Sequence, residues 1–145
     1  MLITNHVLAG ALVGAACPGP VSAFGVGVAS HFAMDVVPHW GDPDQERFLR
    51  VAVVDGLVGL AAMAWVARGT TPERRTRVVA GMLGACFPDA DKPSELFFGR
   101  SPFPVVVDDW HKVIQRESER RMPQEFVVAT AGALMVLGLV TRRQR

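Results

Sequence analysis

Proline and glycine punctuation constrains this chain more than any other feature. Pro18-Gly19-Pro20, Pro38 with Gly41 and Pro43, Gly69 to Pro72, Pro88 to Pro104, and Pro123 cut it into apolar pieces. Proline lacks a backbone donor and disfavours helix in the residue before it, while glycine commonly ends helices. The apolar pieces left between the breakers span roughly 5–17, 21–37, 48–67, 76–87 and 125–141, and a shorter amphipathic stretch covers about 107–121. None alternates with the period of a strand, so the expected class is all-α. With 145 residues there is no room for a second core, so residues 1–145 are read as a single helical domain. The expectation is a compact bundle of about five apolar helices, transmembrane or re-entrant, plus one short amphipathic helix.

Composition bears on what surrounds such a bundle. Half the residues are hydrophobic, and many of the 14 glycines sit inside apolar runs such as AGALVGAA, FGVGVAS and VDGLVGLAA. Glycine costs about 1 kcal/mol against alanine in a soluble helix, whereas membrane helices use small residues to bring backbones close. A full span takes about 20 apolar residues. FLRVAVVDGLVGLAAMAWVARG, bracketed by Arg50 and Arg68, approaches that length, and the other segments are shorter. A membrane-embedded bundle is the favoured reading, and a soluble bundle of very apolar helices stands beside it. A net charge of +1 gives no electrostatic case for nucleic acid. Cys17 and Cys86 have no ligand-like spacing and read as inert buried thiols. The start has no basic region, and Asn5 and His6 interrupt its apolar run, so no cleaved signal peptide is expected.

Alternating the helices up and down sorts the charged residues. If the first helix starts at side A with His6, the second returns there with His31, Asp35 and His39. The fourth arrives at A with Asp89 and Asp91, the amphipathic stretch with His111 stays there, and the last helix leaves from Glu125. Side A thus receives all four histidines and every acid except Glu73. Side B receives Arg68, Arg74, Arg75, Arg77, Arg142, Arg143 and Arg145. Counting basic residues does not fix the orientation, but the compact, acid-poor arginine set of side B favours a cytoplasmic B.

The densest chemistry lies in SHFAMDVVPHW. His31 and Asp35 are one helical turn apart on one face, and Pro38 puts His39 in the turn just beyond the helix end. An imidazole and a carboxylate in an apolar setting need a partner or a metal ion. The competing reading is a buried histidine satisfied by its carboxylate. Asp89 and Asp91 in FPDADK suit oxygen ligation of a divalent ion or, equally, a solvated turn. His6 is a further candidate ligand or an interfacial cap.

His111 lies in DDWHKVIQRESER, where Trp110, Val113 and Ile114 form an apolar stripe beside Lys112, Arg116 and Arg120. This fits a short interfacial helix, with His111 and Gln115 bordering the same pocket, as well as it fits a solvated charged one. Asp55, about two turns inside the most apolar segment, is a candidate ligand partner or proton acceptor. Glu125, heading the last helix, matches the general preference of acids for helix N-termini. No Gly-rich phosphate loop, nucleophile elbow or Cys-His pair is present in the sequence, so no covalent nucleophile is indicated.

In order, TNHVLAGALVG, ASHFAMDVVPHWGD, VVDG, FPDADK and WHKVIQRE resemble small bacterial membrane proteins described as membrane-bound metal-dependent hydrolases, the YdjM-like inner-membrane proteins among them. The resemblance runs from His6 to about Glu117. It implies packed transmembrane helices in the bacterial inner membrane and metal binding by His6, His31, Asp35, His39, Asp89, Asp91 and His111. A looser similarity to helical zinc-dependent phospholipase C implies a phosphoester substrate. The YdjM-like proteins usually carry His-Arg-Gly-x-Thr-His after the Pro-Asp-x-Asp loop. This chain has WHKVIQRE there, with a single histidine.

The expected function is a membrane-embedded hydrolase using one or two divalent ions, most simply zinc, on a phospholipid or another amphiphilic phosphoester. Asp35 and Asp55 are its candidate catalytic carboxylates, and membrane lipid is its expected partner. The alternative is a non-catalytic membrane protein using the His/Asp cluster as a structural or ion-binding site. Polar groups gathered at one end argue against a transport path through the bundle.

Overall fold

The breakers act largely where the sequence places them. In the computed structural model, which describes residues 1–141, helix α1 spans Ile3–Ala16 and the Pro18-Gly19-Pro20 turn hands over to α2, Pro20–Asp35. Pro20 occupies the first turn, where its missing N–H costs nothing. Pro38 accounts for the stop at Asp35, so His39 lies beyond the helix as expected. Asp44 caps α3, Gln45–Gly69, by accepting from the Arg47 amide at 3.0 Å, which starts that helix three residues before the expected Phe48. Helix α4 spans Pro72–Cys86, and α7 spans Met122–Thr141. The expected Arg142, Arg143 and Arg145 of side B lie outside the described residues.

The all-α class holds, and no strand occurs among the described residues. Two local expectations do not. The Pro88 to Pro104 stretch, read as a breaker region, contains helix α5, Asp91–Phe98, closed by Gly99 in the left-handed region at φ 69°. The amphipathic helix, expected to reach residue 121, is α6, Val105–Ile114. Chain 115–118 leaves the helix to pair with the segment after α2. The His39 amide donates to Arg116 O at 3.1 Å, and the Ser118 amide donates to His39 O at 3.0 Å. These bonds replace the next helical turn, and no proline or glycine marks the change.

Helices α1, α2 and α4 pack backbone against backbone. A Cβ on Gly10 would stand 2.6 Å from Gly81 O, and one on Gly14 would stand 2.7 Å from Arg77 O. Gly27 and Gly84 make the same kind of close approach, to Gly81 and to Phe24. Val7, Leu8, Ala11, Val66, Val78, Met82 and Val136 fill the space around this trio and tie in α3 and α7.

Helix α3 and the segment Glu119–Thr141 are long and apolar enough to cross a membrane. The other apolar helices fall short: α1, α2 and α4 have 14, 16 and 15 residues, against about 20 for a full span. In the most apolar windows of the two long helices only 17% and 11% of residues are buried. Val53, Val54, Leu57 and Leu60 of α3, and Phe126, Val127, Leu134 and Met135 of α7, face outward.

Candidate metal centre

The helix ends that alternation brings to one side do meet. Asn5 of α1 donates to the Glu125 carboxylate of α7 at 2.7 Å, and the same carboxylate accepts from the amides of Leu2 at 3.1 Å and Trp40 at 3.0 Å. One wholly buried acid therefore ties together the starts of α1 and α7 and the turn after α2.

Behind this tie lies a group of ligand atoms. His31, Asp35, Asp89 and His111 each present one, and all four atoms lie within 4.8 Å of one another, so the group could hold a metal ion. His31 Nε2 and His111 Nε2 are 3.1 Å apart, and each is 3.1 Å from Asp35 Oδ2. Asp89 Oδ1 is 3.8 Å from His31 Nε2. Helices α2 and α6 and the 3₁₀ turn after α4 supply these residues, and the i, i+4 spacing of His31 and Asp35 puts both on the inner face of α2. Phe32 forms an aromatic wall, with centroids 4.7 Å from Trp110 and 5.4 Å from His111.

Two observations show that these donors suit a cation. His31 Nδ1 lies 2.8 Å from the Ala85 carbonyl, which can only accept, so this nitrogen carries the proton. With the proton on Nδ1, His31 Nε2 turns its lone pair toward the Asp35 carboxylate oxygen 3.1 Å away, and a shared cation would relieve that opposition. A histidine whose other nitrogen donates to a backbone carbonyl is also the usual support of a metal ligand. The second observation is His6. Its ring stacks on His31 at 4.0 Å, it is fully buried, and both its nitrogens lack a hydrogen-bond partner. His6 Nε2 is 3.2 Å from Asp35 Oδ1 but poorly aligned for a hydrogen bond.

The rest of the site neutralises or orients these groups. Gln115 Nε2 donates to Asp35 Oδ2 at 3.2 Å, which joins α6 to α2 as the spacing from His111 suggests. The Met1 amino nitrogen is 2.8 Å from Asp35 Oδ1. Asp89 is paired with Lys92. Burial pushes the Asp89 carboxyl up, but the Lys92 ammonium and the His31 and His6 imidazoles outweigh it and hold the group below its usual range. Burial pulls the Lys92 ammonium down, and Asp89 more than restores it.

Three expected site residues stand elsewhere. Asp55 accepts from the amides of Ile3 and Thr4, so it caps α1 from across the bundle instead of joining the cluster. Asp91 opens α5, where its carboxylate accepts from the Lys92 amide at 2.8 Å. His39 is fully buried with Nδ1 2.8 Å from Val37 O and Nε2 facing Glu117 at 3.8 Å. Neither His39 nor Asp91 is in the four-residue group.

Lys92 and Glu117 were missed. Lys92 carries a signal, its i, i+3 spacing from Asp89, whereas nothing local marks Glu117. Glu125 does more than favour a helix start, since its carboxylate joins Leu2, Asn5 and Trp40. A groove of about 420 Å³ between Trp40, Arg47 and Arg120 lies on the α3 and α7 side and includes none of the four ligand residues.

Comparison with protein-family models, with curated proteins and with solved structures found no match to this chain.

Proposed function

We propose that this protein is a membrane-embedded, metal-dependent hydrolase acting on a phospholipid or another amphiphilic phosphoester, with the cluster at one end of its bundle as the active centre. The observation that carries the reading is the convergence of His31, Asp35, Asp89 and His111, with His31 held by Ala85 in the tautomer a metal ligand needs. The outward apolar faces of α3 and α7 support membrane placement, since a soluble core helix of that length would be mostly buried. Helices α1, α2 and α4 are then short or re-entrant pieces inside a multi-pass bundle.

Nitrogen and oxygen ligands in this mixture suit zinc, which when bound supplies Lewis acidity and a nucleophile at neutral pH. His31, Asp35, Asp89 and His111 would hold the ion, with His6 next to them as a further ligand. Gln115 fixes the Asp35 carboxylate. Lys92 balances the charge of Asp89 and, being partly exposed, offers an ammonium to a phosphoryl oxygen at the edge of the site. Elemental analysis of purified protein tests the first half of the reading, and a panel of phosphoesters and phospholipids tests the second. Metal-free protein with an intact fold is the result that removes it.

One observation favours a non-catalytic membrane protein instead. Asp35 is contacted from α1, α2 and α6 at once, as a structural staple would be. A staple predicts that Asp35→Asn unfolds the protein, whereas the enzyme reading predicts a folded, metal-poor one.

A further inference from the structure

Helices α5 and α6 form an arm beside the metal-capable cluster, joined by the turn at Gly99–Pro104. Its outer surface is apolar without cover. Phe97 and Phe98 at the end of α5 are 74% and 77% exposed, Val105 and Val106 at the start of α6 are both 73% exposed, and Val113 is 81% exposed. Helix α6 has three distinct sides. Asp108 and His111 face inward, Val106, Trp110 and Val113 at i, i+4 and i+7 face outward, and Asp109 and Lys112 lie on the edge between.

We infer that this arm lies in one leaflet of the bilayer, at the boundary between headgroups and acyl chains, and that the same leaflet presents the substrate to the cluster. The inference rests on the membrane reading above. Continuity is its first support. Phe103 in the turn packs on Phe87 at 5.3 Å, and Phe87 packs on Phe24 at 5.6 Å, so the tip folds back along the outer face of α2 and α4. Phe24 lies 11 residues, or about 16 Å of helix, from Asp35 on the way to the other end of α2. The tip therefore joins an apolar surface formed by Phe87 and Phe24, both of them exposed.

Charge is the second support. Arg100, Lys112 and Arg116 are exposed around the arm, placed to meet lipid phosphates while the aromatic and aliphatic side chains enter the acyl region. Trp110 has the amphipathic ring common at that depth. Because Trp110 and His111 are consecutive, and Phe32 contacts both rings, a lipid phosphate at the edge of the arm sits next to the cluster.

Depth-dependent tryptophan quenching in the full-length protein tests this in phosphatidylcholine vesicles containing phosphatidylglycerol. Three single-tryptophan forms are needed: Trp110 alone (Trp40→Phe with Trp65→Phe), Trp65 alone, and Phe98→Trp with all three native tryptophans changed to Phe. Lipids brominated near the headgroup end of the chain should quench Trp110 and the residue-98 reporter several-fold more than lipids brominated near the chain terminus, and aqueous iodide should have little effect. Strong iodide quenching at both arm positions, with Trp65 quenched by either brominated lipid, overturns the inference and leaves the membrane reading standing. Quenching by neither agent, relieved as protein is diluted in lipid, overturns it in favour of a second copy covering the arm. If Trp65 also escapes every brominated lipid, the membrane reading itself fails.

Discussion

His31 Nδ1 is 2.8 Å from the carbonyl of Ala85, and this bond fixes which nitrogen of the imidazole faces the cluster. Ala85 is in the last turn of α4, whose carbonyls lack intrahelical partners, so the helix end and the histidine satisfy each other. The opposite nitrogen is then committed to Asp35 and His111. Asp35→Ala removes the carboxylate shared by three imidazoles, and metal content should fall by a factor of at least about 100, beyond the 10–100-fold typical of supporting residues. Elemental analysis after dialysis against a chelator measures it, with circular dichroism confirming that the helices remain.

Asp55 separates a capping role from a chemical one. Its carboxylate accepts from two α1 amides, and α1 has no side-chain cap from Leu2. Asp55→Ala should cost about 1–2 kcal/mol, the usual range for a lost cap. It should leave the bound metal unchanged, because the carboxylate is outside the ligand group. Thermal unfolding in detergent beside metal analysis distinguishes this from the ligand-partner role expected from sequence, and equal loss of metal in Asp55→Ala and Asp35→Ala would refute it.

The helical class, most boundaries and the gathering of His6, His31, Asp35, Asp89 and His111 at one end follow from breakers and alternation. Both are local signals that fix direction along the bundle axis. Position around that axis was much less accessible. His39 and Asp91 reach the correct end but turn aside, because helix rotation and the 115–118 pairing decide where their side chains go. Helix α5 is masked by Pro88 in the 3₁₀ turn before it and by Pro93, its own third residue, both of which lie in first turns where proline is tolerated. The linking role of Glu125 depends on Leu2, Asn5 and Trp40, contacts at long sequence separation that no window can show.

Glycines at the crossing of α1, α2 and α4 should be intolerant, and those on outer faces should not. A methyl on Gly10 meets Gly81 O at 2.6 Å, with Met82 and Ala85 at 2.8 Å. Gly10→Ala must separate two backbones, at a cost of about 1–3 kcal/mol. Gly25→Ala and Gly56→Ala meet nothing within 4 Å on helices α2 and α3, and should stabilise by about 0.5–1 kcal/mol from propensity alone. Melting temperatures of the three variants in one detergent give the ranking directly.

Glu125→Ala should be the most damaging single change outside the ligand group. It leaves the Leu2 and Trp40 amides and the Asn5 side chain without their acceptor in a buried setting. At about 1–3 kcal/mol for each unsatisfied buried group, the loss approaches the whole stability of a small domain. Glu125→Gln keeps one acceptor oxygen, and it should recover part of the loss in thermal melts and in yield of folded protein.

Glu117 gives the pH prediction. His39 facing its carboxylate holds Glu117 below its ordinary range, against an opposing push from burial. A carboxylate with a lowered folded-state pKa adds stability when the pH is above its unfolded value of about 4.3, and that contribution is lost as the pH falls through the folded value. Because the group is 43% exposed, its contribution should be under about 1 kcal/mol. Glu117→Gln should therefore melt slightly below the parent protein at neutral pH, and the gap should close in acid as the parent protonates. A gap that widens on acidification contradicts the pairing of Glu117 with His39.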